Sequence, residues 1–267
     1  MHGLRNLILL VLASTSLLAQ NSYLGFDRND YPGDANLKAL RQTFFYAGYW
    51  LNNPPGEGSN SWIGKRAALK SAGFGFLVLF NGRLEKELRR NPAALAQTDA
   101  RAAVAAAKRE GFPSKSIIFL DIEEGGRMLP EQKAYIYGWV DGVNAAGFRA
   151  AVYCSGIPAR EDKNTTIVTA DDIRANAGGR AIAYWVTNDS CPPSPGCTVA
   201  NPPSPARSGI AFADVWQFVQ SPRRPDLAAK CRNYNADGNC YPPGANASMQ
   251  LYVDVNTATS ADPSQGR

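Results

Sequence analysis

The sequence predicts an α/β protein built as a closed, TIM-like (β/α)8 barrel that is irregular in its C-terminal third. Short apolar runs alternate along the chain with longer amphipathic segments, which is the pattern of parallel strands joined by helices. Eight such runs occur in 267 residues, and eight strands in about 250 residues suit one closed barrel better than an open sheet.

Each predicted strand is a short apolar run, of the kind that is buried on both faces of a sheet. The predicted strands cover residues 23–27, 44–49, 75–80, 117–123, 149–155, 181–187, 214–219 and 251–255. Proline and glycine mark the boundaries of the helical segments that we predict at 62–72, 97–110, 130–146 and 171–177. Residues 191–207 and 221–244 are rich in Pro, Gly and Asn without a helical period, which predicts long surface loops.

The beginning of the chain has the composition of a secretory signal peptide. A basic start is followed by an apolar stretch that ends at Ala19, and Gln20-Asn21-Ser22 is polar. We predict a signal peptide over 1–19, a barrel domain over 20–257 and a flexible tail over 258–267. An uncleaved anchor is the alternative, although the apolar stretch is short for a membrane span. The protein is then secreted, periplasmic or cell-wall associated.

The charge balance argues against nucleic acid as a partner. Loss of Arg5 with the leader leaves 27 basic residues against 23 acidic ones, a net charge of +4. The excess is spread along the chain without a basic block or interleaved aromatic residues. A mild positive charge favours an anionic surface such as a cell wall. We also expect a monomer with no integral membrane segment after signal cleavage.

Four of the five cysteines lie in the two predicted loops, and export favours disulfides. We favour Cys191 with Cys197 and Cys231 with Cys240, while the two other pairings of these four remain open. A zinc site is a weaker alternative, since the spacing is not that of Cys-x-x-Cys pairs and no histidine is near. The fifth, Cys154, is predicted to be a buried small side chain. We expect no metal and no cofactor.

The distribution of titratable residues points to chemistry done by carboxylates. The single histidine of the chain is His2, in the predicted leader, so the mature protein has no Ser-His-Asp or Cys-His arrangement. On the strand predicted at 117–123, Asp121 and Glu123 leave the same face. Such a pair predicts general acid catalysis. The alternative is that Asp121 caps the next helix and that Glu123 or Glu124 pairs with Arg127.

In a barrel of this kind the carboxyl ends of the strands meet at one rim. The candidate site residues at those ends are Asp27, Tyr46, Tyr49, Phe80, Asp121, Glu123, Tyr153, Trp185, Trp216, Gln217 and Asp254. Aromatic faces stack on sugar rings, and paired carboxylates cleave glycosidic bonds. Each aromatic residue taken alone is better explained as core, but their coincidence with four acids favours a glycan site.

Short motifs at these strand ends resemble, in the same order, those of family-25 glycoside hydrolases, the chalaropsis-type lysozymes. They are Gly-Phe-Asp27, Ile-Ile-Phe-Leu-Asp121-Ile-Glu123, Ala-Val-Tyr153, Ala-Tyr-Trp185, Val-Trp216-Gln217-Phe and Leu-Tyr-Val-Asp254-Val. The chain resembles still more closely the glycoside-hydrolase-like domain of unknown function 1906, which shares the barrel and occurs in exported bacterial proteins. The resemblance covers nearly all of residues 23–255.

The resemblance implies a role for each acid. Glu123 matches the general acid, and Asp121 matches the neighbouring acid that stabilises an oxocarbenium-like state or orients the N-acetyl group of the substrate. Asp27 and Asp254 match acids that shape the pocket. The positions that match sugar contacts are Tyr153, Trp185 and Trp216. Arg28 and Glu124 depart from the family pattern, and we expect them to alter the subsite.

Taken together, these features predict an exported glycoside hydrolase that cleaves β-linked amino-sugar polymers such as peptidoglycan by carboxylate general acid catalysis. The first alternative is a non-catalytic barrel that binds cell-wall glycan. The second is a structural or partner-binding protein, which only the cysteine-rich loops support.

Overall fold

Short strands alternate with helices along most of the chain. A computed structural model describes residues 22–189, 202–219, 251 and 253–267. The strands are β1 (Tyr23–Asp27), β2 (Tyr46–Trp50), β3 (Gly75–Asn81), β4 (Ile117–Asp121), β5 (Arg149–Ser155), β6 (Ala159–Arg160), β7 (Thr166–Ile167), β8 (Ala183–Thr187), β9 (Val215–Val219) and β10 (Asp254–Ala258). The helices are α1 (Leu37–Arg41), α2 (Arg66–Ser71), α3 (Glu85–Leu88), α4 (Pro92–Arg109), α5 (Pro130–Ala145) and α6 (Thr169–Ala175).

Eight of these strands close into a barrel in the order β1-β10-β9-β8-β5-β4-β3-β2, while β6 and β7 form a separate small hairpin. The predicted α/β barrel is confirmed. The predicted signal peptide and the four clustered cysteines lie outside the described residues, whereas Cys154 on β5 is buried as predicted.

The last barrel strand differs from the prediction in its direction. β10 pairs antiparallel with both β1 and β9, whereas the other barrel pairs are parallel. The strand predicted at 251–255 begins only at Asp254. Because β10 runs in the opposite sense, its first residue lies at the same rim as the last residues of its neighbours.

The helical layer is uneven around the barrel. α4 and α5 are long, and they approach each other closely because glycines on α5 face alanines on α4. A Cβ atom added at Gly138 would lie 2.9 Å from Cβ of Ala96, and one at Gly142 would lie 2.8 Å from Cβ of Ala100. Between β8 and β9 the described residues contain one short 3-10 segment, Pro205–Ser208. This agrees with the irregular C-terminal third that the loop composition predicts.

The barrel interior is filled by side chains that alternate with those of the outer layer. The ring of Tyr46 occupies the space beside Gly25, where an added Cβ would lie 2.0 Å from it. Phe119 and Trp185 meet edge to face, with ring centroids 6.2 Å apart. None of the helices in the described part of the chain is long and apolar enough to cross a membrane.

Residues 259–267, which we call the closing segment, lie against the amino ends of β3 and β4. The backbone N–H of Val78 donates to Oγ of Ser264, and that of Ile117 donates to its carbonyl oxygen, both at 2.8 Å. The backbone N–H of Phe76 donates to Oδ1 of Asp262, also at 2.8 Å. Ser264 is fully buried. The prediction of a flexible tail over 258–267 is therefore wrong, because these residues satisfy the backbone donors at the end of the barrel opposite the rim.

The contact between Gly75 and the closing segment gives a test of its contribution to stability. A Cβ atom at Gly75 would lie 2.1 Å from the carbonyl oxygen of Ala261, so alanine there must displace the segment. We expect Gly75→Ala to lower the free energy of unfolding by about 1–3 kcal/mol. In thermal denaturation each kcal/mol corresponds to a fall in Tm of about 2–4 °C. Gly58→Ala is the matched control, because nothing lies within 4 Å of its added Cβ. Equal Tm values for the two variants would contradict this account.

Candidate active site

Four carboxylates meet at one rim of the barrel. Asp27 ends β1 and Asp254 begins β10, and the two are partners in the register of this antiparallel pair. Asp121 ends β4, and Glu123 follows it by two positions. Asp27 and Asp121 are buried, with 6% and 3% of their surfaces exposed, whereas Glu123 is exposed at the mouth. The acids that the sequence predicts for the site therefore converge.

Asp27 is held by its neighbours on three strands. Gly48 on β2 makes room for it, since a Cβ atom there would lie 2.6 Å from Cβ of Asp27. Nδ2 of Asn256 donates to Oδ1 of Asp27 at 2.6 Å, and Nε2 of Gln217 donates to the same oxygen at 3.1 Å. Nε2 of Gln217 also lies 3.5 Å from Oδ2 of Asp254.

The orientation of these two amides is set by a second ring of contacts. Nε1 of Trp185 donates to Oδ1 of Asn256 at 2.9 Å, and the hydroxyl of Tyr153 donates to Oε1 of Gln217 at 2.8 Å. An indole N–H can only donate, so the oxygen of Asn256 must face Trp185 and its NH2 group must face Asp27. The arrangement presents amide N–H donors to the carboxylate, which stabilises the ionised form.

Asp121 and Glu123 form a second acidic pair. The two carboxyl groups lie close enough to form a hydrogen bond when one of them carries a proton, with Asp121 as the donor. No donor of the described residues reaches Oδ1 of Asp121. A buried carboxylate without donors is poorly solvated, so the proton of the pair is held preferentially by Asp121 while Glu123 faces solvent.

The electrostatics of the rim favour protonated acids. Burial raises the pKa of Asp121 well above its usual range, and the charge of Glu123 raises it further. Burial also raises the pKa of Glu123, and the hydrogen bond from Asp121 opposes this shift. For Asp27, burial and the charge of Asp254 raise the pKa well above its usual range, and the bonds from Asn256 and Gln217 oppose this shift only in part. Burial therefore opposes the ionisation of Asp27, Asp121 and Glu123.

Tyr153 and Trp185 reach the rim but are buried, with 7% and 2% of their surfaces exposed. Their rings pack together with centroids 4.2 Å apart. Burial raises the pKa of Tyr153, and so do the charges of Glu123 and Asp121, so its hydroxyl remains a neutral donor. Both side chains hold the amides of Gln217 and Asn256 in place.

Four of the predicted aromatic contacts are not brought to the mouth. Tyr49, Phe80 and Trp216 have the outward parity on their strands and enter the outer layer. The Tyr49 hydroxyl bonds to Glu110, Phe80 packs on Trp139, and Nε1 of Trp216 donates to the carbonyl of Asn188. Tyr46 points inward but is completely buried beside Gly25. The assignment of Tyr49, Phe80 and Trp216 as substrate contacts ignored the alternation of side chains along a strand, whereas Tyr46 lies too deep in the barrel interior to reach the mouth.

Glu124 is part of the scaffold and not of the rim. Its Oε2 accepts from the backbone N–H of Glu85 at the start of α3, at 2.7 Å, and from Nε2 of Gln132 on α5, at 2.9 Å. Arg127 pairs with Glu161 at 2.9 Å. The alternative in which Glu123 or Glu124 neutralises Arg127 is therefore not what the structure shows.

The sequence reasoning missed Gly48 and Asn256. Asn256 lies two positions after Asp254 and so shares its face, but the predicted strand stopped at residue 255. Among residues 22–189, 202–219, 251 and 253–267, no three carboxylate, thiol or imidazole groups are placed to hold one metal ion.

A family model matches residues 48–169, and the family is described as Rv2525c-like, glycoside hydrolase-like domain. The matched residues include Asp121 and Glu123, whereas Asp27 and Asp254 lie outside them. No curated protein matches the chain.

Several solved structures share the fold. The Tat-secreted protein Rv2525c of Mycobacterium tuberculosis, in complex with L-tartrate, is 14% identical over 90% of this chain and 96% of that chain, with a TM-score of 0.53. The spore cortex lytic enzyme SleM of Clostridium perfringens is 16% identical over 90% of this chain and 68% of that one, with a TM-score of 0.54. The modular autolysin LytC of Streptococcus pneumoniae, in complex with a synthetic peptidoglycan ligand, is 12% identical over 88% and 46%, with a TM-score of 0.51.

At these identities the structural likeness shows a common fold, and the family model adds the match that includes the Asp121–Glu123 segment. The resemblance stated from the motifs is thus confirmed: residues 48–169 match the model of the Rv2525c-like, glycoside hydrolase-like domain.

Proposed function

We propose that the protein is an exported glycoside hydrolase that cleaves β-linked amino-sugar polymers, peptidoglycan in particular, by carboxylate general acid catalysis. The observation that carries the proposal is the Asp121–Glu123 pair, joined by a hydrogen bond at the rim that also holds Asp27 and Asp254. The family match supports a glycoside hydrolase-like domain. SleM is described as a cortex lytic enzyme and LytC as an autolysin with a peptidoglycan ligand, which supports the choice of polymer.

Glu123 is the general acid in this proposal. It is the member of the pair that solvent reaches, so a glycosidic oxygen at the mouth can approach it. The reactive form of the pair carries two protons: Asp121 keeps one, and Glu123, whose pKa is raised by burial, carries the one that it donates. Proton transfer to the leaving oxygen turns Glu123 into a carboxylate.

Asp121 assists this transfer from below. When it holds its own proton, its hydroxyl donates to the new carboxylate of Glu123, which stabilises the state after transfer. Asp27 and Asp254 lie side by side at the same rim, and a negative charge on this pair stabilises the positive charge that develops on the sugar ring. In this proposal Asp121 and Glu123 serve proton donation, and Asp27 and Asp254 serve charge stabilisation.

Export is the second part of the proposal. The sequence predicts a signal peptide over 1–19, and the structurally similar Rv2525c is described as Tat-secreted. A location outside the cytoplasm gives the protein access to a cell-wall polymer.

The role of Glu123 is tested by Glu123→Gln, which keeps the size of the side chain and removes its acidic proton. We expect the release of reducing ends from purified cell walls to fall by about 10²- to 10⁴-fold, the range for loss of a general acid. Sedimentation with the insoluble walls should persist, since the cleft is unchanged.

The matched control is Glu124→Gln, because among the described residues the carboxylate of Glu124 accepts its hydrogen bonds from Glu85 and Gln132 of the scaffold. We expect it to retain turnover within a few-fold of wild type. Wild-type turnover by Glu123→Gln would exclude the proposed mechanism, and an equal loss in both variants would assign the effect to folding.

The raised pKa of Asp121 gives a second prediction, on stability against pH. A carboxyl whose pKa is raised on folding stabilises the protein below its unfolded pKa of about 4, and this contribution is lost as the pH rises through the folded pKa. Asp121→Asn removes the titration and keeps the shape, so we expect it to have a higher Tm than wild type at pH 8 and a smaller advantage, or none, at pH 5.

The quantity to compare is the difference between variant and wild type at each pH. The pKa values of Asp34 and Asp162 are lowered by hydrogen bonds, so these two residues stabilise both proteins more as the pH rises. The difference between variant and wild type at one pH removes this shared contribution. Asp30→Asn, at an exposed position, serves as the control and should leave both Tm values nearly unchanged. A lower Tm for Asp121→Asn at pH 8 would show that the carboxylate stabilises the fold.

A further inference from the structure

A polar cleft of about 360 Å³ lies on the outer side of the loop that follows β3. It is separate from the rim acids and is bounded by the loops after β2 and β3 and by α4. Its volume falls within the range of about 300–1,000 Å³ that is typical of ligand sites. Its polar lining consists of Asn52, Asn53, Asn81, Arg83, Glu87 and Asp99.

The guanidinium group in this cleft is fixed before any ligand arrives. Nε and Nη2 of Arg83 donate to the two carboxylate oxygens of Asp99 at 2.6 and 2.8 Å. The buried hydroxyl of Tyr135 donates to Oδ2 of Asp99 at 2.8 Å, so the acid is also held. Arg83 remains about one-third exposed. A bidentate pair of this kind orients the planar group at little further entropic cost.

The amide side of the cleft is also rigid. Nδ2 of Asn52 donates to the carbonyl of Asn81 at 3.0 Å, and the N–H of Asn81 donates back to Oδ1 of Asn52 at 2.8 Å. Nδ2 of Asn81 donates to the carbonyl of Asn53 at 3.0 Å. The side chain of Asn53 is exposed at the edge. Phe80 also lines the cleft, and its ring packs on Trp139.

The cleft is in direct structural contact with the acid pair. Gly82, which lines it, donates its N–H to the carbonyl oxygen of Asp121 at 3.1 Å. A Cβ atom at Gly82 would lie 2.5 Å from that oxygen, so only glycine allows the loop to lie against the end of β4. The loop that lines the cleft is therefore fixed against the end of β4, the strand that carries Asp121.

The charge of the lining indicates the kind of ligand. Arg83 is the single cation, and Asp99 and Glu87 are anions, so the lining carries a net charge of −1. An anionic group such as a carboxylate is disfavoured in that field. Amide, guanidinium and carboxylate groups beside an aromatic ring offer both donors and acceptors to hydroxyl and acetamido groups, together with an apolar surface for a ring face.

We propose that this cleft is a subsite for one neutral N-acetylhexosamine unit of the chain whose scissile bond lies at the Asp121–Glu123 pair. The proposal rests on the proposed function, because it places the unit on the polymer that the rim cleaves. In this proposal Phe80 contacts the sugar in the outer cleft. It does not contact sugar at the mouth of the barrel, because its side chain points outward from β3.

The test uses the mature protein in the Glu123→Gln background, so that binding is measured without turnover. Chitotetraose is the probe, titrated by calorimetry. We expect Asn53→Ala to weaken its affinity by about 2- to 10-fold, the loss of one or two neutral hydrogen bonds. The side-chain amide signal of Asn53 in ¹⁵N-labelled protein should shift on titration. Asn164→Ala, an exposed asparagine in the β6–β7 hairpin, is the matched control and should bind as tightly as the parent.

The proposal is overturned if chitotetraose does not bind, or if Asn53→Ala binds it unchanged and the Asn53 amide signal does not shift. Its failure is distinguishable from that of the proposed function. If Glu123→Gln kept full turnover while Asn53→Ala weakened binding, the proposed hydrolase mechanism would be excluded and the cleft would remain a glycan-binding site. Loss of turnover by Glu123→Gln without any Asn53 effect would leave the hydrolase and remove the subsite.

Discussion

The antiparallel pairing of β10 with β1 is the constraint on which the site depends. A parallel eighth strand beginning at the same residue would place Asp254 at the end of the barrel opposite Glu123. The antiparallel register instead sets Asp254 opposite Asp27 and brings Asn256 into the interior behind it. The pairing that closes the barrel therefore also brings the acids together. Both depend on residues that are far apart in the chain.

Burial of the rim carboxyl groups lowers the stability of the fold, and hydrogen bonds around them reduce this loss. Burial opposes the ionisation of Asp27 and Asp121, and a buried charge is tolerated only where donors are supplied. Asp27 receives two amide donors, whose orientation is set by Trp185 and Tyr153. Asp121 receives none at Oδ1 and shares a proton with Glu123 instead. The amide donors at Asp27 thus favour its charged form, whereas the Asp121–Glu123 pair is suited to proton donation.

Much of the architecture could be predicted from the sequence, because apolar runs and glycine or proline stops are local signals. The bounds of β1 and β5 agree with the prediction, and the acids were identified because carboxylates at strand ends are rare in a core. The direction of β10 could not be predicted, since residues 221–244 carry no helical period that would signal a crossover helix. The closing segment was missed because its polar residues act through backbone donors elsewhere in the chain.

The errors at Tyr49, Phe80 and Trp216 have a single cause, whereas Tyr46 points inward but is completely buried. Parity along a strand allows only one of Trp216 and Gln217, and only one of Tyr46 and Tyr49, to point inward. The sequence shows that the two residues of each pair point to opposite faces. It does not show which face is inward, because the register between strands decides that. Once Asp27 is taken as inward, its position opposite Gly48 assigns the outward face to Tyr49.

The central claim is that Asp121 and Glu123 share protons as one coupled pair. Carboxyl ¹³C NMR titration of the folded protein measures this directly, with Asp121→Asn and Glu123→Gln used to assign the signals. We predict that Asp121 and Glu123 titrate together in two separated steps, with at least one step well above the range of about 3.9–4.3 for free side chains. Independent titration of both groups within that range would contradict the account.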